Sequence, residues 1–222
     1  MPTIQDEQAG AAVDRAAATR LTREQSQEAT RERLLAAART VFARAGYHGA
    51  SVDEIASEAG FSTGALYSNF DGKVGLFLDL MEREVARHAE EVAEAVRDRG
   101  TVSARAAGGA EQWMKIVDRE PELVLLFMEF WAYGVRDRRV RARVAERFAQ
   151  VRELLSSLIA DSAQEFDLAL AMPAEHLAVA IDALADGIAR QKLVDPGAVP
   201  DGLLGQAIAM LLSGASHPAP SA

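Results

Sequence analysis

Residues 51–73, SVDEIASEAGFSTGALYSNFDGK, bring hydroxyls, a side-chain amide, a phenol and an ammonium into one short stretch. Hydroxyl and amide groups such as those of Ser62, Thr63, Ser68 and Asn69 hydrogen-bond base edges or phosphate oxygens. Tyr67 offers a hydroxyl to phosphate, and Lys73 a cation next to a helix start after Asp71. Gly64 costs about 1 kcal/mol of helix propensity relative to Ala. That cost suits a place where backbone and Ala65 come close to a nucleic acid. The chemistry on offer is recognition, not bond breaking.

Catalytic alternatives lack their residues. The histidines are His48, His88, His176 and His217, with no HExxH or other ligand-spaced cluster, and the chain has no cysteine, Gly-rich phosphate loop or nucleophile elbow. The sequence predicts no enzyme, no metal and no cofactor. No apolar run approaches the roughly 20 residues that span a bilayer, so the expectation is a cytoplasmic protein without a membrane partner.

Helices must position the recognition residues. Leu34, Ala38, Val41, Phe42 and Ala45 recur at helical spacing, predicting a helix from near Thr30 to Gly46. Ser51 to Glu54 is a capping-box pattern that starts a short second helix, and Gly60 supplies the positive φ that ends it. Ser62 caps a third helix over 63–70, which crosses the second over Ile55, Ala56, Ala59, Phe61 and Leu66. Further helices are expected over 73–97, 110–118, 122–135, 138–163, 174–192 and 202–212, with Gly108–Gly109 as a break. No pair of alternating strands stands out. The predicted fold is all-α: a flexible arm at 1–26, a three-helix helix-turn-helix head at 27–72, a larger helical body at 73–214 and a flexible tail at 215–222.

Charge is polarised along these elements. The 222-residue chain has a net charge of -9, yet residues 20–48 contain six arginines against three glutamates, a local +3. From residue 76 onward 16 basic residues face 23 acidic ones. The local basic segment is the expected electrostatic footprint for DNA.

The stretch from Arg31 to Phe77, LLAAARTVFARAGY followed by SVDEIASEAGFSTGALYSNFDGKVGLF, resembles the TetR family of bacterial transcriptional regulators. The resemblance rests on the ordered set Ala56, Ala59, Gly60, Ser62, Gly64, Leu66, Tyr67, Phe70 and Lys73. It implies phosphate contacts at Tyr67 and Lys73, and capping or phosphate contacts at Ser51 and Ser62. Asn69 stands where His or Tyr is frequent, and Val74 where Glu is frequent. The resemblance also implies a homodimer that pairs its last two main helices as a four-helix bundle, and a body cavity whose small-molecule effector lowers affinity for double-stranded operator DNA.

The body carries residues that suit those expectations. LVLLFMEFWAY at 123–133 carries Phe127, Phe130, Trp131 and Tyr133, which with Trp113 and Met114 give an aromatic and sulfur-lined pocket. Glu129 is either a partner for a cationic ligand group or an internal partner for an Arg or the Tyr133 hydroxyl. Leu177, Ile181, Leu184 and Ile188 form one apolar stripe, and Leu204, Ile208 and Leu211 another, as candidate dimer contacts. The function expected is a ligand-responsive repressor on a palindromic operator, with an activator or a ligand-independent architectural DNA binder as alternatives.

Overall fold

The computed structural model describes residues 22–97, 99–214 and 216–218. The arm expected at 1–26 lies almost wholly outside them. Nine α-helices run in order among the described residues: α1 Arg23–Gly49, α2 Val52–Glu58, α3 Thr63–Asn69, α4 Gly72–Val96, α5 Val102–Arg119, α6 Pro121–Arg136, α7 Arg138–Glu165, α8 Ala174–Val194 and α9 Leu203–Gly214. The fold is all-α in character, with an N-terminal helix-turn-helix bundle and a larger helical body.

Helix α1 begins earlier than its apolar periodicity suggests because Thr22 and Gln25 form a reciprocal capping box. The Gln25 N–H donates to Thr22 Oγ1 at 3.2 Å, and the Thr22 N–H to Gln25 Oε1 at 2.9 Å. Gly46 does interrupt the helix, at φ +70°, but one further helical turn follows to Gly49. Gly108 and Gly109 do not break α5. They lie inside it, where α5 packs closely on α4: a Cβ on Gly108 would sit 2.6 Å from the Ala95 carbonyl oxygen, and one on Gly109 3.0 Å from Val96 Cγ2. A short antiparallel pair, β1 Leu168–Leu170 with β2 Ser216–Pro218, joins the end of α7 to the segment after α9. Three-residue strands are too short for alternation to mark them, and this pairing places part of the expected tail against the body.

Two apolar clusters hold the molecule. The first runs from Leu34, Val41, Phe42, Ile55 and Leu66 through Leu76 and Phe77 into Leu126, Phe130 and Val144, so the core of the head continues into α4, α6 and α7. The second joins Ala106 and Ala110 of α5 to Leu177, Ile181 and Ile188 of α8 and Leu204 and Ile208 of α9. Phe77 and Phe130 stack at 4.1 Å between ring centroids, and Tyr47 meets both edge-on at 5.0 Å. Full burial of a ring such as Phe130 contributes about 1.5–3 kcal/mol, and here that burial fastens head to body.

Candidate DNA-reading head and effector cavity

The turn between α2 and α3 follows from local chemistry. Ser51 Oγ accepts the Glu54 N–H at 3.1 Å and Ser62 Oγ accepts the Ala65 N–H at 3.2 Å, capping the two helices. Gly60 takes φ +73° between them, and Ala56 and Leu66 are buried at the crossing. The Glu54 carboxylate completes no capping box. It pairs instead with Arg44 at 2.6 Å.

Helix α3 presents Ser62, Gly64, Tyr67 and Ser68 outward, with Tyr67 60% exposed, while Thr63, Ala65 and Asn69 are half-buried. Thr63 Oγ1 donates to Asp53 Oδ1 at 2.7 Å and Ser68 Oγ to the Gly64 carbonyl at 2.9 Å. Asn69 turns back, its amide donating to the Ala65 carbonyl at 2.8 Å. A Cβ on Gly64 would meet only Ser62 Oγ at 3.7 Å, so packing within the protein does not require glycine there. Lys73 Nζ donates to the Ala50 carbonyl at 2.7 Å and lies 4.7 Å above the Tyr47 ring. Burial holds its ammonium below the usual lysine range, against the opposing pull of Glu129. Three donors on one ammonium leave capacity for a phosphate oxygen.

The arginines of the basic segment are largely spoken for. Arg31 donates to the Asn69 carbonyl at 2.9 Å, pairs with Asp79 and covers the Phe70 ring. Arg33 donates to the Ala59 carbonyl at 2.8 Å and stacks on Phe61. Arg39 pairs with Glu84 at 3.2 Å and Glu120 at 2.9 Å. These cations brace the reading helices more than they form a free footprint. Arg20 lies outside the described residues.

A cavity of about 720 Å³ opens among α4 to α9 in the body. Trp113, Phe127, Met128, Trp131 and Phe148 line it together with Met81, Val85, Val92 and Val96 of α4. The expected pocket set therefore divides. Met114 points to a separate recess between α5 and α9. Glu129, Phe130 and Tyr133 lie outside the lining, because a helix that is apolar all round sends successive side chains to opposite sides. Phe130 is 1% exposed in the head–body core, and Tyr133 packs on Tyr47. Glu129 accepts the backbone N–H of Tyr47 at 3.0 Å and of His48 at 3.1 Å, the two residues after the Gly46 break. Its partner is thus neither an arginine nor the Tyr133 hydroxyl but the free amides of a kinked helix. Burial, with Tyr133 and Asp137 nearby, pushes the Tyr47 phenol up to about 12.

Sequence reasoning missed the polar members of the cavity wall. Glu84 and His88 of α4 line it, as do Arg105, Arg152, Asp182, Asp186 and Arg190. Glu84, His88 and Glu120 bring their ligating atoms within 4.8 Å of one another, a spacing a metal could use. Guanidinium groups already fill that space: Arg87 contacts both carboxylates at 2.6 Å, Arg39 also contacts both, and Arg119 reaches Glu120 at 3.0 Å. Burial opposes ionisation of Glu120, but hydrogen bonds from Arg87 and Arg119 pull its carboxyl down to about 2. Burial and the Arg87 charge hold the His88 imidazole below its usual value. The cluster is an ion-pair network tying α1, α4 and the α5–α6 junction beside the cavity. The signal for Asp182 and Asp186 was legible: two carboxylates four residues apart in AVAIDALADGIA, a stretch otherwise without charge.

The candidate dimer residues are used inside the subunit. Leu177, Ile181, Ile188, Leu204 and Ile208 are buried in the second cluster, with Leu184 and Leu211 packed against it. The apolar groups that α8 and α9 leave exposed are Val179, Val194, Leu203 and Met210. The most apolar stripe of each helix faces its own core, which leaves weaker stripes for any partner.

Residues 34–80 match the family described as bacterial regulatory proteins, tetR family, and residues 103–214 match the C-terminal domain of BetI-type transcriptional repressors. The chain belongs to the TetR family. Among TetR-family relatives, it is 30% identical to the transcriptional regulator BetI of Vibrio parahaemolyticus over 181 residues, covering 76% of this chain and 83% of BetI. It is 33% identical over 99 residues to the transcriptional activator FasR of Mycolicibacterium smegmatis, a match that covers 45% of each chain. It thus spans under half the length of that relative. The fold is also that of the Bacillus subtilis regulator FadR solved with stearoyl-CoA, at TM-score 0.67 and 18% identity over 82% of this chain and 98% of that one. The families and relatives that it matches are described as transcriptional regulators. No described helix is long and apolar enough to cross a membrane.

Proposed function

We propose that this protein represses transcription as a cytoplasmic homodimer on a palindromic operator and is released when a mostly apolar small molecule fills the body cavity. The observation that carries the reading is the two-sidedness of α6. Phe127, Met128 and Trp131 line the cavity, while Glu129, Phe130 and Tyr133 grip the head. A ligand that favours one position of α6 therefore favours one position of the head, and it shifts the equilibrium by its difference in affinity for the two. The stearoyl-CoA bound to the FadR structure supports an apolar ligand body.

In this reading α3 enters the major groove. Thr63, Gly64, Ala65 and Ser68 face base edges, Ser51, Ser62, Tyr67 and Lys73 hold phosphates, and Asn69 touches the DNA only at the far end of the helix. The second subunit docks on the exposed faces of α8 and α9 that carry Val194, Leu203 and Met210. Two recognition helices then lie roughly 34–36 Å apart, one helical turn of DNA. FasR is an activator, and that relative favours activation as the second reading; operator position relative to the promoter decides between them.

Selection of duplexes from a random pool by the purified protein tests the proposal. Enrichment of a two-fold symmetric site, bound by a dimer whose log affinity falls linearly as log salt rises, is the expected result. Enrichment of no sequence, or sedimentation as a monomer at micromolar concentration, overturns it.

A further inference from the structure

We infer that the corner between α6 and α7, residues 136–147, is a second DNA-contacting surface, whose exposed arginines hold backbone phosphates beside the half-site that α3 reads. The inference rests on the reading of the head as an operator-binding unit and extends that contact to the body.

The head by itself lacks net positive charge. Residues 22–73, from the cap of α1 to Lys73, hold six basic and seven acidic residues, a net -1. Arg31, Arg33, Arg39 and Arg44 are moreover turned to carbonyls and carboxylates of the protein. DNA affinity comes largely from neutralised phosphates, so a head of this charge gains little from the field of the duplex without help. Residues 136–147, RDRRVRARVAER, supply it: six arginines against Asp137 and Glu146 give +4 in a chain of net -9.

This segment is fastened to the head. Val140 and Val144 are buried in the cluster that the head and body share. Gly134 lets α7 fold back closely on α6, since a Cβ there would lie 3.0 Å from Val144 Cγ2. One turn before Arg136, the Tyr133 ring lies 5.5 Å from Tyr47 and 5.8 Å from His48. The His48 carbonyl accepts from Lys73 Nζ at 3.4 Å, and Ser51 follows three residues later, so the corner borders the end of the head that carries both candidate phosphate holders. On another side Arg143 comes within 4.0 Å of Asp79, which pairs with the Arg31 that also donates to the last residue of α3. Arg138 and Arg141 are exposed, enter no ion pair among the described residues and share one face of α7 at three-residue spacing. Arg136 is exposed as well and spends one N–H on the Ala132 carbonyl at 3.1 Å, which leaves four for other acceptors. The planar fork of a guanidinium matches two phosphate oxygens.

The test compares full-length wild type with Arg138→Ala/Arg141→Ala on the duplex that wild type selects, across a range of salt concentrations. In the variant the slope of log affinity against log salt should shrink by about 1–2, and affinity near physiological salt should fall by about tenfold or more. The preferred bases should stay as they are, because phosphate contacts carry no sequence information. Ethylation interference, which neutralises single phosphates, should lose positions in the variant that wild type shows. Arg138→Lys/Arg141→Lys keeps the charge and should keep most of the slope. Both pairs of side chains are exposed, so thermal unfolding should stay within about 2 °C of wild type. An unchanged slope with an unchanged interference pattern overturns the inference, and so does a change in base preference, which would make these arginines supports of α3. If wild type itself binds no duplex, the operator-binding reading falls and the inference with it.

Discussion

Glu129 on α6 accepts the backbone N–H of Tyr47 at 3.0 Å, a bond across 82 positions of sequence that joins the body to the last turn of α1. The Gly46 break leaves the Tyr47 and His48 amides without helical partners, and one carboxylate takes both. A Cβ on Gly46 would come within 2.8 Å of Glu129 Oε2, so the glycine also makes room for the contact. Replacing Glu129 with Ala removes two charge-assisted hydrogen bonds, and about 1–3 kcal/mol of stability is the expected loss at this half-buried site. Thermal unfolding should shift down by roughly 3–10 °C, while cavity binding read from tryptophan emission changes less than about twofold.

Lys73 and Thr63 should separate positioning from reading. Lys73→Ala is expected to weaken binding to related operators by similar factors and to reduce the salt slope by about 1. Changing Thr63, which donates to Asp53, should instead alter the preferred bases. Affinities across single-base operator variants at two salt concentrations check both outcomes.

Asp182 should make the ligand-free protein more stable in mild acid. Its folded value of about 6 stands above the ordinary 3.8, so between those values the folded state binds more protons than the unfolded chain. Stability from this group is full below about pH 4 and is lost as pH rises through about 6. Asp182→Asn removes the loss, so the variant should exceed wild type by about 1–2 kcal/mol at neutral pH and match it near pH 4. Urea denaturation of both proteins across that range is the measurement.

Gly108→Ala tests the close approach of α4 and α5. Its Cβ would press on the Ala95 carbonyl oxygen at 2.6 Å and on the Arg99 side chain. The cost of forcing backbone apart is about 1–3 kcal/mol, large enough to outweigh the gain in helix propensity. A denaturation midpoint equal to or above wild type would show that the helices separate freely.

What the sequence disclosed followed the range of its signals. Caps at Ser51 and Ser62, the turn at Gly60 and the stripe of Leu34, Val41 and Phe42 are local, and each stands where its spacing puts it. Gly108 and Gly109 read as a break because helix propensity is local, whereas the reason for them is a neighbour that only the folded chain brings near. The same limit explains Glu129, whose partners lie 81 and 82 positions away. It explains Leu177 and Ile208 too, since a stripe records that a helix face is covered but not whether its own subunit or a second one covers it. Charge counting over 20–48 could not foresee that Arg31, Arg33 and Arg39 would turn to carbonyls and carboxylates of the head and its neighbours.

The central claim is that α6 carries cavity occupancy to the head, and the direct measurement is operator affinity in wild type and Glu129→Ala, each with and without a ligand that saturates the Trp113 and Trp131 emission change. Wild type should lose at least tenfold in affinity on saturation, which is about 1.4 kcal/mol of coupling. In Glu129→Ala the ratio should fall toward one with the cavity equally filled. Wild-type operator affinity that stays constant while the emission shows a full cavity would contradict the account.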